Sequence, residues 1–410
     1  MSDNIPPFEI QVEIIKRIPD VKTLIQFRSV SKLWKSLIDS PEFIADYQTR
    51  HRNHRLLVRC VGFSRKYELI VDDDVFPQHK IPVTVPMFVK SLLPRHDISM
   101  TTSQGLVCCY NTHENQSDSG TKNVLLWNPA IRKSVLSLCL MFFYDFRYKT
   151  NIGFGVSPHT NDPMLVKINN NNIDMSISLF MSCIPWHVEV FTLSTGVWRS
   201  LRTNLPRKSI DLSWHHVVID EFIYWIGIDW CDIIDKRVLS MIISFDMRSE
   251  EFTEIFLPDY LARFYYDCLN ISKLRESLVV LETNDQVEKL EHVVWIMDHG
   301  VPNSFTKLFT IKAPDASIKR VFGFWNSGEP IVERILMYGP INDRFVNSVY
   351  DPCSQRFYDI PIPEKGCLDS VSSYSETLLL LDHRDNGKLS KHTVTDTLLT
   401  FGAGRQGVEI

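Results

Sequence analysis

A β-rich unit that returns at a nearly constant interval constrains the fold of this 410-residue chain most. Each copy has an apolar run, a polar turn and a second apolar run. Clear copies span residues 123–138, 187–201, 241–258, 293–311 and 347–362, with a weaker one at 67–83. Their anchors are Trp127-Asn128, Phe191-Thr192, Phe245-Asp246, Met297-Asp298 and Tyr350-Asp351, spaced 64, 54, 52 and 53 residues apart. A fixed period of this length is typical of repeat architectures.

Further apolar runs lie between the copies and raise each repeat to four strands. They include residues 105–110, 152–156, 164–168, 216–228, 277–282, 334–339 and 377–382. About six four-stranded repeats predict an all-β propeller of six blades. A propeller of seven blades would need one more blade within the first interval. A pair of β-sandwiches or an irregular all-β domain is the alternative. We expect the ring to be closed by Val394–Leu399 or by a strand near Leu56–Arg59, which removes exposed edges.

The first fifty residues have a different texture, with apolar residues at helical spacing. Ile10, Ile14, Ile15 and Ile18 fall on one face, and Pro19 ends that run. Asp20 is a predicted N-cap for a second helix, and Ser29 or Ser31 for a third that holds Trp34. Ser40-Pro41 predicts the start of a further helical segment. Three short helices bury little by themselves, so we expect part of their apolar surface to dock on another protein.

These helices resemble the F-box family. The shared residues are Pro7, Glu13-Ile14-Ile15, Arg17-Ile18-Pro19, Leu24-Ile25, Phe27-Arg28, Val30-Ser31-Lys32, Trp34, Leu37-Ile38, Pro41 and Phe43. The chain departs from the family at Pro6, where Leu is usual, and at Ser31, where Cys is common. The resemblance implies docking on the Skp-type adaptor of a cullin-RING ubiquitin ligase. The implied adaptor-binding residues are Pro7, Ile10, Ile14, Ile15, Ile18, Pro19, Leu24, Phe27, Val30, Trp34 and Leu37.

The repeats resemble a second family, the plant F-box proteins with a C-terminal F-box-associated interaction domain. The motifs that carry this resemblance are Gly105-Leu106-Val107, Trp127-Asn128-Pro129, Phe154-Gly155, Val190, Trp198-Arg199 and Tyr224-Trp225. The period is also similar to that of Kelch repeats, although the Gly-Gly doublet of a strict Kelch repeat is missing. The family implies a substrate receptor whose C-terminal domain selects the target.

Composition agrees with a globular protein that works in a reducing compartment. Hydrophobic residues make up 44% and charged residues 23%, and the net charge of −5 favours neither nucleic acid nor an anionic membrane. The nine cysteines are scattered without a C-x-x-C pair, which favours free thiols. The N-terminus has no apolar signal core, and no apolar run approaches bilayer length. We therefore expect a nuclear or cytosolic protein.

No residue set in the sequence predicts catalysis, a metal or a cofactor. His215-His216 with Cys231 and Asp232 lacks the ligand spacing of a structural zinc motif. Cys108-Cys109 falls in a strand pattern and favours a core role over a nucleophilic one. Trp127, Trp198, Trp225 and Tyr350 lie in strand patterns and are expected in the core between blades. Substrate-binding residues are not identified, although loops at one rim, at 112–123, 169–175, 229–236 and 326–329, are candidates.

Together these observations predict a multidomain α+β chain in which a three-helix F-box precedes an all-β, Kelch-like propeller. The expected domains are an F-box at 1–50, a junction at 51–66, a propeller at 67–400 and a flexible tail at 401–410. The expected function is that of a non-catalytic substrate receptor, which tethers a target protein close to a ubiquitin ligase. In the alternative, the propeller reads a glycan or small ligand, or the chain is a scaffold that does not lead to degradation.

Overall fold

The structure, a computed structural model, describes most of the chain between residues 6 and 381. The described ranges are 6–51, 55–61, 66–71, 80–83, 98–111, 121–141, 148–171, 186–202, 206–207, 209–232, 237–265, 268–284, 290–298, 301, 303–313, 316–325, 327–337, 343–360 and 367–381. The predicted closing strand Val394–Leu399 and the predicted tail at 401–410 lie outside these residues.

Four helices open the described chain. They are α1 (Phe8–Lys16), α2 (Val21–Phe27), α3 (Lys32–Ile38) and α4 (Pro41–Arg50). The predicted caps are confirmed, since the side chains of Asp20, Ser31 and Ser40 accept hydrogen bonds from backbone N–H groups in the first turns of α2, α3 and α4. The helix α4 adds a fourth element to the three that were expected for the F-box. None of the helices in the described ranges is long and apolar enough to cross a membrane.

The described strands form six antiparallel sheets of four strands each. Blade 1 contains β1 (Arg55–Val61), β2 (Lys66–Val71), β3 (Lys80–Val83) and the last strand, β24 (Cys367–Tyr374). Blade 2 contains β4 (Ile98–Ser103), β5 (Leu106–Asn111), β6 (Thr121–Asn128) and β7 (Lys133–Met141), and blade 3 contains β8 (Tyr148–Val156), β9 (Pro163–Asn171), β10 (His187–Thr192) and β11 (Trp198–Leu201). Blade 4 contains β12 (Ile210–Ile219), β13 (Phe222–Asp232), β14 (Arg237–Asp246) and β15 (Glu251–Phe256). Blade 5 contains β16 (Leu269–Leu274), β17 (Ser277–Asn284), β18 (Glu291–Met297) and β19 (Phe305–Ile311), and blade 6 contains β20 (Ala316–Phe324), β21 (Pro330–Met337), β22 (Asp343–Asp351) and β23 (Arg356–Asp359).

One edge strand of each sheet, which we call its inner strand, lies at the centre of the molecule. β4, β8, β12, β16, β20 and β24 contact one another in this order, and β24 returns to β4. This closed ring of inner strands confirms the predicted all-β propeller, and the six described sheets correspond to the six expected blades. The ring is closed where β1 pairs with β24, from Arg55 opposite Tyr374 to Val61 opposite Cys367. Of the two predicted closing strands, the structure therefore uses the one near Leu56–Arg59.

The recurring anchor pairs now have a structural explanation. The second residue ends the third strand of its blade in four of the five pairs, and in the fifth Asp298 directly follows that strand. Each of these residues begins the turn to the outermost strand. The side chains of Asn128, Asp246 and Asp351 each accept a hydrogen bond from the backbone N–H two residues later. Four residues after the anchor the backbone enters the left-handed region, at Arg132, Glu250 and Gln355. An Asn or Asp at a fixed interval thus reflects one turn that is built repeatedly.

Two sequence expectations need correction. The leucine run at 377–382 was predicted to form a strand, but its described part has no strand and follows β24 as an irregular segment. An unbroken apolar run has no period from which a strand is recognised, and these leucines fill two separate cores, as described below. In addition, β1 begins at Arg55, within residues 51–66 that were assigned to a junction, because the propeller needs this strand to close.

Aromatic residues and glycines of the repeats hold neighbouring blades together. Trp127, Trp225 and Tyr350 are buried as predicted, whereas Trp198 is half-buried and stacks on Phe191. On β8, a Cβ atom at Gly153 would lie 2.5 Å from the ring of Trp225 in the next blade. The two glycines of the Gly-Phe-Gly motif therefore allow blades 3 and 4 to approach closely.

Candidate functional site

The helical module of α1 to α4 exposes five large apolar side chains. Their exposed fractions are 37% for Phe8, 51% for Ile10, 53% for Ile14, 61% for Val30 and 60% for Leu33. Ile10 and Ile14 are one turn apart on α1. Val30 directly precedes the N-cap of α3, and Leu33 lies in the first turn of that helix. A module of about forty residues with this much exposed apolar surface is suited to cover it with another protein.

The predicted adaptor-binding residues divide into three groups in the structure. Pro7, Ile10, Ile14, Pro19 and Val30 are exposed. Ile18, Phe27, Trp34 and Leu37 are half-buried and pack against the module's own core. Ile15 and Leu24 are fully buried in that core, with 1% and 0% of their surface exposed, so they support the face from behind without presenting a free surface. Sequence reasoning missed Phe8 and Leu33, although both stand at helical positions next to predicted residues.

Contacts within the module fix the exposed face. The indole N–H of Trp34 donates to Gln11 Oε1 at 2.8 Å and thereby holds α1 beside α3. The rings of Phe27 and Trp34 lie 5.2 Å apart. Arg28 makes a two-pronged ion pair with Asp39, with its Nε 2.5 Å from Oδ1 and its second guanidinium nitrogen 2.7 Å from Oδ2. The helices that carry the exposed residues are thus locked to one another before any partner binds.

The module shares its hydrophobic core with residues that follow the last described strand, β24. The cluster of Ile15, Val21, Leu24, Ile38, Phe43 and Tyr47 also contains Leu378 and Leu381, which follow β24. Ala130 and Ile131, from the turn between β6 and β7, pack against the same cluster. From α4, the Gln48 side-chain amide donates to Thr377 Oγ1 at 3.0 Å. The helices therefore rest directly on blade 2 and on the segment at 375–381, which we call the C-terminal segment.

A cavity of about 250 Å³ opens at the helical end of the central channel. It is lined by the ends of the inner strands, such as Ser103, Lys273, Phe324 and Ser373, and by Gln48 of α4. Five inner strands line the cavity, and each contributes residues from its C-terminal half. These strands therefore run in the same direction through the channel. The helical module thus stands at the mouth where the inner strands end. The loop residues 327–329, part of a predicted rim loop, belong to this mouth, whereas the other three predicted loops lie largely outside the described residues.

The inner strand β12 carries an irregular stretch that leads into the residues with which this strand lines the cavity, His215–Val218. Its pairing with β13 shifts between Leu212 and His216, so that the three residues between them bulge out. Trp214 in the bulge is 45% exposed, and the Lys149 ammonium lies 4.7 Å from the centre of its ring. Lys149 is itself paired with Asp211 at 3.3 Å. This bulge presents an exposed aromatic side chain on a support that is tied to blade 3.

The residues considered for metal or nucleophilic chemistry have other roles. His216 is buried and accepts a hydrogen bond from the Phe154 N–H at 3.3 Å, and burial lowers its pKa to about 3. Burial also raises the pKa of the Cys109 thiol to about 12 and the pKa of Cys108 above its usual value, which keeps both thiols protonated. Across the described ranges, no three His, Cys, Asp or Glu side chains are close enough together to hold a metal ion.

Comparison with protein families matches both parts of the chain. The family described as the F-box domain matches residues 7–46, which include α1, α2 and α3 and the first half of α4. The family described as the F-box associated beta propeller domain matches residues 69–337, from blade 1 into blade 6. The second match covers more than half of the chain.

Curated plant proteins are similar over long stretches. The F-box/LRR-repeat/kelch-repeat protein At1g09650 of Arabidopsis thaliana is 25% identical over 263 residues, which cover 60% of this chain and 63% of that protein. The F-box protein At5g18160 of the same plant is 25% identical over 330 residues, which cover 78% of this chain and 74% of the relative. The chain thus spans less than two thirds of the length of the first relative and about three quarters of the second.

Proposed function

Because this chain belongs to the family of F-box proteins that carry an F-box-associated β-propeller domain, we propose that it is the substrate-recognition subunit of a Skp-cullin-F-box ubiquitin ligase. Its helical module docks on the Skp-type adaptor, and its propeller binds the target protein. The observation that carries this proposal is the exposed apolar face of Phe8, Ile10, Ile14, Val30 and Leu33 on a module whose core is filled by its own helices together with Leu378 and Leu381.

The exposed face has the right size for a stable contact. Full burial of one such side chain contributes roughly 1.5–3 kcal/mol, so covering a side chain that is half exposed contributes about 1 kcal/mol. Five of these contacts, together with the half-buried Trp34 and Phe27 at their centre, offset a substantial part of the entropy that association costs. The preformed contacts between α1 and α3 reduce that cost, because the helices do not need to be ordered on binding.

The proposed mechanism requires no chemistry from this chain. The adaptor side connects it to the ligase, and the propeller holds the target, so that target lysines experience a high effective concentration of the charged ubiquitin carrier. The shared core between the helices and blade 2 fixes the distance between the two binding sites. The chain is therefore proposed to act as a rigid, non-catalytic receptor in the nucleus or cytoplasm.

Adaptor binding is tested by co-expression of the full chain with a Skp-type adaptor and measurement of the dissociation constant. The double variant Ile14→Asp, Leu33→Asp places two charges on the exposed face and is expected to weaken the complex at least about a hundredfold, since charges are disfavoured in a contact core. The matched control is Val197→Asp, Val301→Asp, because these propeller residues are 52% and 54% exposed. The control is expected to bind the adaptor as the unchanged chain does.

Either of two results would contradict adaptor docking through this face. One is that the unchanged chain does not bind the adaptor, and the other is that both double variants bind with equal strength. All four substituted residues are exposed, so the thermal unfolding midpoints are expected to stay nearly unchanged. Equal midpoints then show that a loss of binding comes from the face and not from unfolding.

The output of the complex is tested with the same variants in cells. Target proteins are expected to accumulate on Ile14→Asp, Leu33→Asp, because the propeller still holds them while the ligase is absent. Their half-lives are expected to shorten when the unchanged chain is expressed. If the captured proteins keep the same half-life and are not ubiquitinated, the chain acts as a scaffold without degradation.

A further inference from the structure

The C-terminal segment at 375–381 connects the two parts of the molecule through four consecutive leucines, two of which enter each part. Leu378 and Leu381 lie in the core of the helical module with 0% and 2% of their surface exposed. Leu379 and Leu380 lie in the core between blades 2 and 3, each with 6% exposed. A single short segment therefore fills both cores at once.

Polar contacts hold the path of this segment from both sides. The side-chain amide of Asn128 is buried and donates to the carbonyl oxygens of Thr377 at 2.9 Å and Leu379 at 2.8 Å. The Lys133 ammonium donates to the carbonyl oxygen of Leu381 at 2.9 Å, and Gln48 of α4 donates to the Thr377 hydroxyl at 3.0 Å. Both hydrogens of the Asn128 amide are used on the segment, which gives the Trp-Asn-Pro motif a purpose outside its own blade.

A second sequence motif also meets the segment. Gly105 has a φ of +78°, and a Cβ atom there would lie 2.2 Å from the carbonyl oxygen of Ser375. Only glycine tolerates both the backbone conformation and the close approach. The glycine of Gly105-Leu106-Val107 and the asparagine of Trp127-Asn128-Pro129 therefore converge on the same few residues, although Gly105 lies in the turn between β4 and β5 and Asn128 ends β6.

The position of the segment in the chain gives this arrangement a consequence. It directly follows β24, the strand that closes the propeller ring against β1. The segment reaches the helices only when β24 occupies its place, and it is synthesised after all the described strands. The core of the N-terminal module is thus completed by residues that become available when the ring closes.

We propose that residues 375–381 are an integral part of the adaptor-binding module and make its competence depend on closure of the propeller, an inference that rests on the proposed adaptor docking. Helices without Leu378 and Leu381 lose two buried members of a small cluster and do not hold the exposed face in its docking geometry. A chain whose propeller is incomplete is then a poor adaptor ligand, so it does not bring a ligase to an unfinished receptor. Asn128 and Gly105 are positioning residues for this segment.

The experiment uses the full chain with Leu378→Asp, Leu381→Asp and measures two quantities. One is the dissociation constant for a Skp-type adaptor, and the other is amide hydrogen exchange of α1 to α4 and of the blades. The variant is expected to bind the adaptor at least about tenfold more weakly. Exchange is expected to accelerate in the helices, while β13, β14 and β17, far from the segment, keep their protection.

The control is Leu239→Asp, Leu308→Asp, which makes the same change at propeller leucines that are 38% and 42% exposed. It is expected to change neither adaptor binding nor helix exchange. If the double aspartate variant fails to fold, the milder Leu381→Ala and Asn128→Ala take its place. Each is expected to weaken adaptor binding and to accelerate helix exchange, both to a smaller extent. Exchange is expected to rise more in the helices than in the blades.

The outcomes separate this inference from the proposed function. If the unchanged chain binds the adaptor and Leu378→Asp, Leu381→Asp binds equally well with protected helices, the segment is only a cover and the inference is wrong. If the unchanged chain does not bind, adaptor docking fails, and helix exchange alone still decides whether the segment belongs to the module. If helix exchange and blade exchange rise together in every variant, the segment supports the whole molecule and not the module, which also overturns the inference.

Discussion

At the scale of single residues, two buried histidines make stability depend on pH. His216 accepts the Phe154 N–H, and a ring nitrogen of His292 lies 3.1 Å from the Ile318 carbonyl oxygen. Burial lowers their pKa values to about 3 and about 4, compared with 6.5 for an ordinary histidine. Below pH 6.5 the unfolded chain therefore binds more protons than the folded one. This contribution to stability is complete above pH 6.5 and is lost as the pH falls towards the folded values.

We expect each histidine to reduce the free energy of unfolding by about 1.4 kcal/mol per pH unit between pH 6 and pH 5. Urea unfolding at several pH values measures this slope. His216→Gln keeps a side chain that accepts a hydrogen bond and removes one titrating group, so its slope is expected to be smaller by about that amount. His159→Gln, the same change at an exposed histidine, is the control for the substitution itself. A slope that His216→Gln does not alter would show that the histidine is charged in the folded protein.

Asn128 gives a second prediction at this scale. Asn128→Asp keeps the shape and the oxygen that caps the turn, but places a carboxylate against the carbonyl oxygens of Thr377 and Leu379. A buried carboxylate whose second oxygen faces carbonyl oxygens and has no donor is expected to cost about 3 kcal/mol or more in the free energy of unfolding at pH 7. Burial raises the pKa of the new carboxyl, so the loss is expected to shrink as the pH falls towards 5. Asn270→Asp, at an exposed asparagine of β16, is the matched control and should cost little.

The role of Asn128 also marks a limit of sequence reasoning. The Trp-Asn-Pro motif stands out in the sequence, and its turn is predictable from the side-chain oxygen of Asn128 alone. Its donors, however, serve residues about 250 positions later in the chain. No local spacing encodes such a partner. The same holds for Gly105, whose need for glycine depends on the approach of Ser375.

At the scale of elements, the spacing of apolar residues predicted the type of secondary structure, because it determines which face of a helix or strand is buried. Strands and helices follow from the spacing of apolar residues, and the caps at Asp20 and Ser31 follow from short polar side chains before apolar runs. The leucine run at 377–382 was wrongly assigned to a strand because an apolar run without alternation fits several structures. The sequence left two candidates for the strand that closes the ring. Pairing between distant strands depends on the whole propeller, and the sequence of a single strand does not specify its partner.

Three truncated chains test the roles of β24 and the C-terminal segment as separate elements. A chain that ends at Leu381 keeps both and is expected to unfold in one cooperative transition and to bind the adaptor. A chain that ends at Tyr374 keeps β24 and is expected to retain blade protection but to bind the adaptor more weakly. A chain that ends at Ile360 leaves β1 with an unpaired edge, and we expect it to lose cooperative unfolding and to self-associate. Circular dichroism, light scattering and adaptor titration check the three.

The Tyr374 chain is the decisive member of the series. If it binds the adaptor as well as the Leu381 chain does, residues 375–381 are dispensable for docking. If it loses blade protection as completely as the Ile360 chain does, closure needs more than the pairing of β24 with β1. The series thus separates an element that closes the ring from the segment that completes the helical module.

At the scale of the whole molecule, the two mouths of the channel are not equivalent. The helical module stands at the mouth where the inner strands end, and α4 contributes Gln48 to the cavity there. A large target that approached this mouth would collide with the helices and with the adaptor bound to them. Trp214 precedes the residues with which β12 lines this cavity, so it lies further from the helical mouth than they do, and it is supported by Lys149. The geometry therefore favours target binding at the mouth remote from the helices.

This asymmetry predicts that Trp214→Ala reduces target capture at least about tenfold, because large exposed aromatics dominate contact energies. Adaptor binding is expected to stay unchanged, since Trp214 lies outside the exposed helical face that is proposed to bind the adaptor. Lys273→Ala, at the cavity beside the helices, is the matched control and is expected to leave target capture unchanged. Quantitative mass spectrometry of proteins held by each variant, in the Ile14→Asp, Leu33→Asp background, measures both effects. If Lys273→Ala loses the targets and Trp214→Ala keeps them, the target enters beside the F-box, and the adaptor must then bind the exposed helical face without covering that mouth.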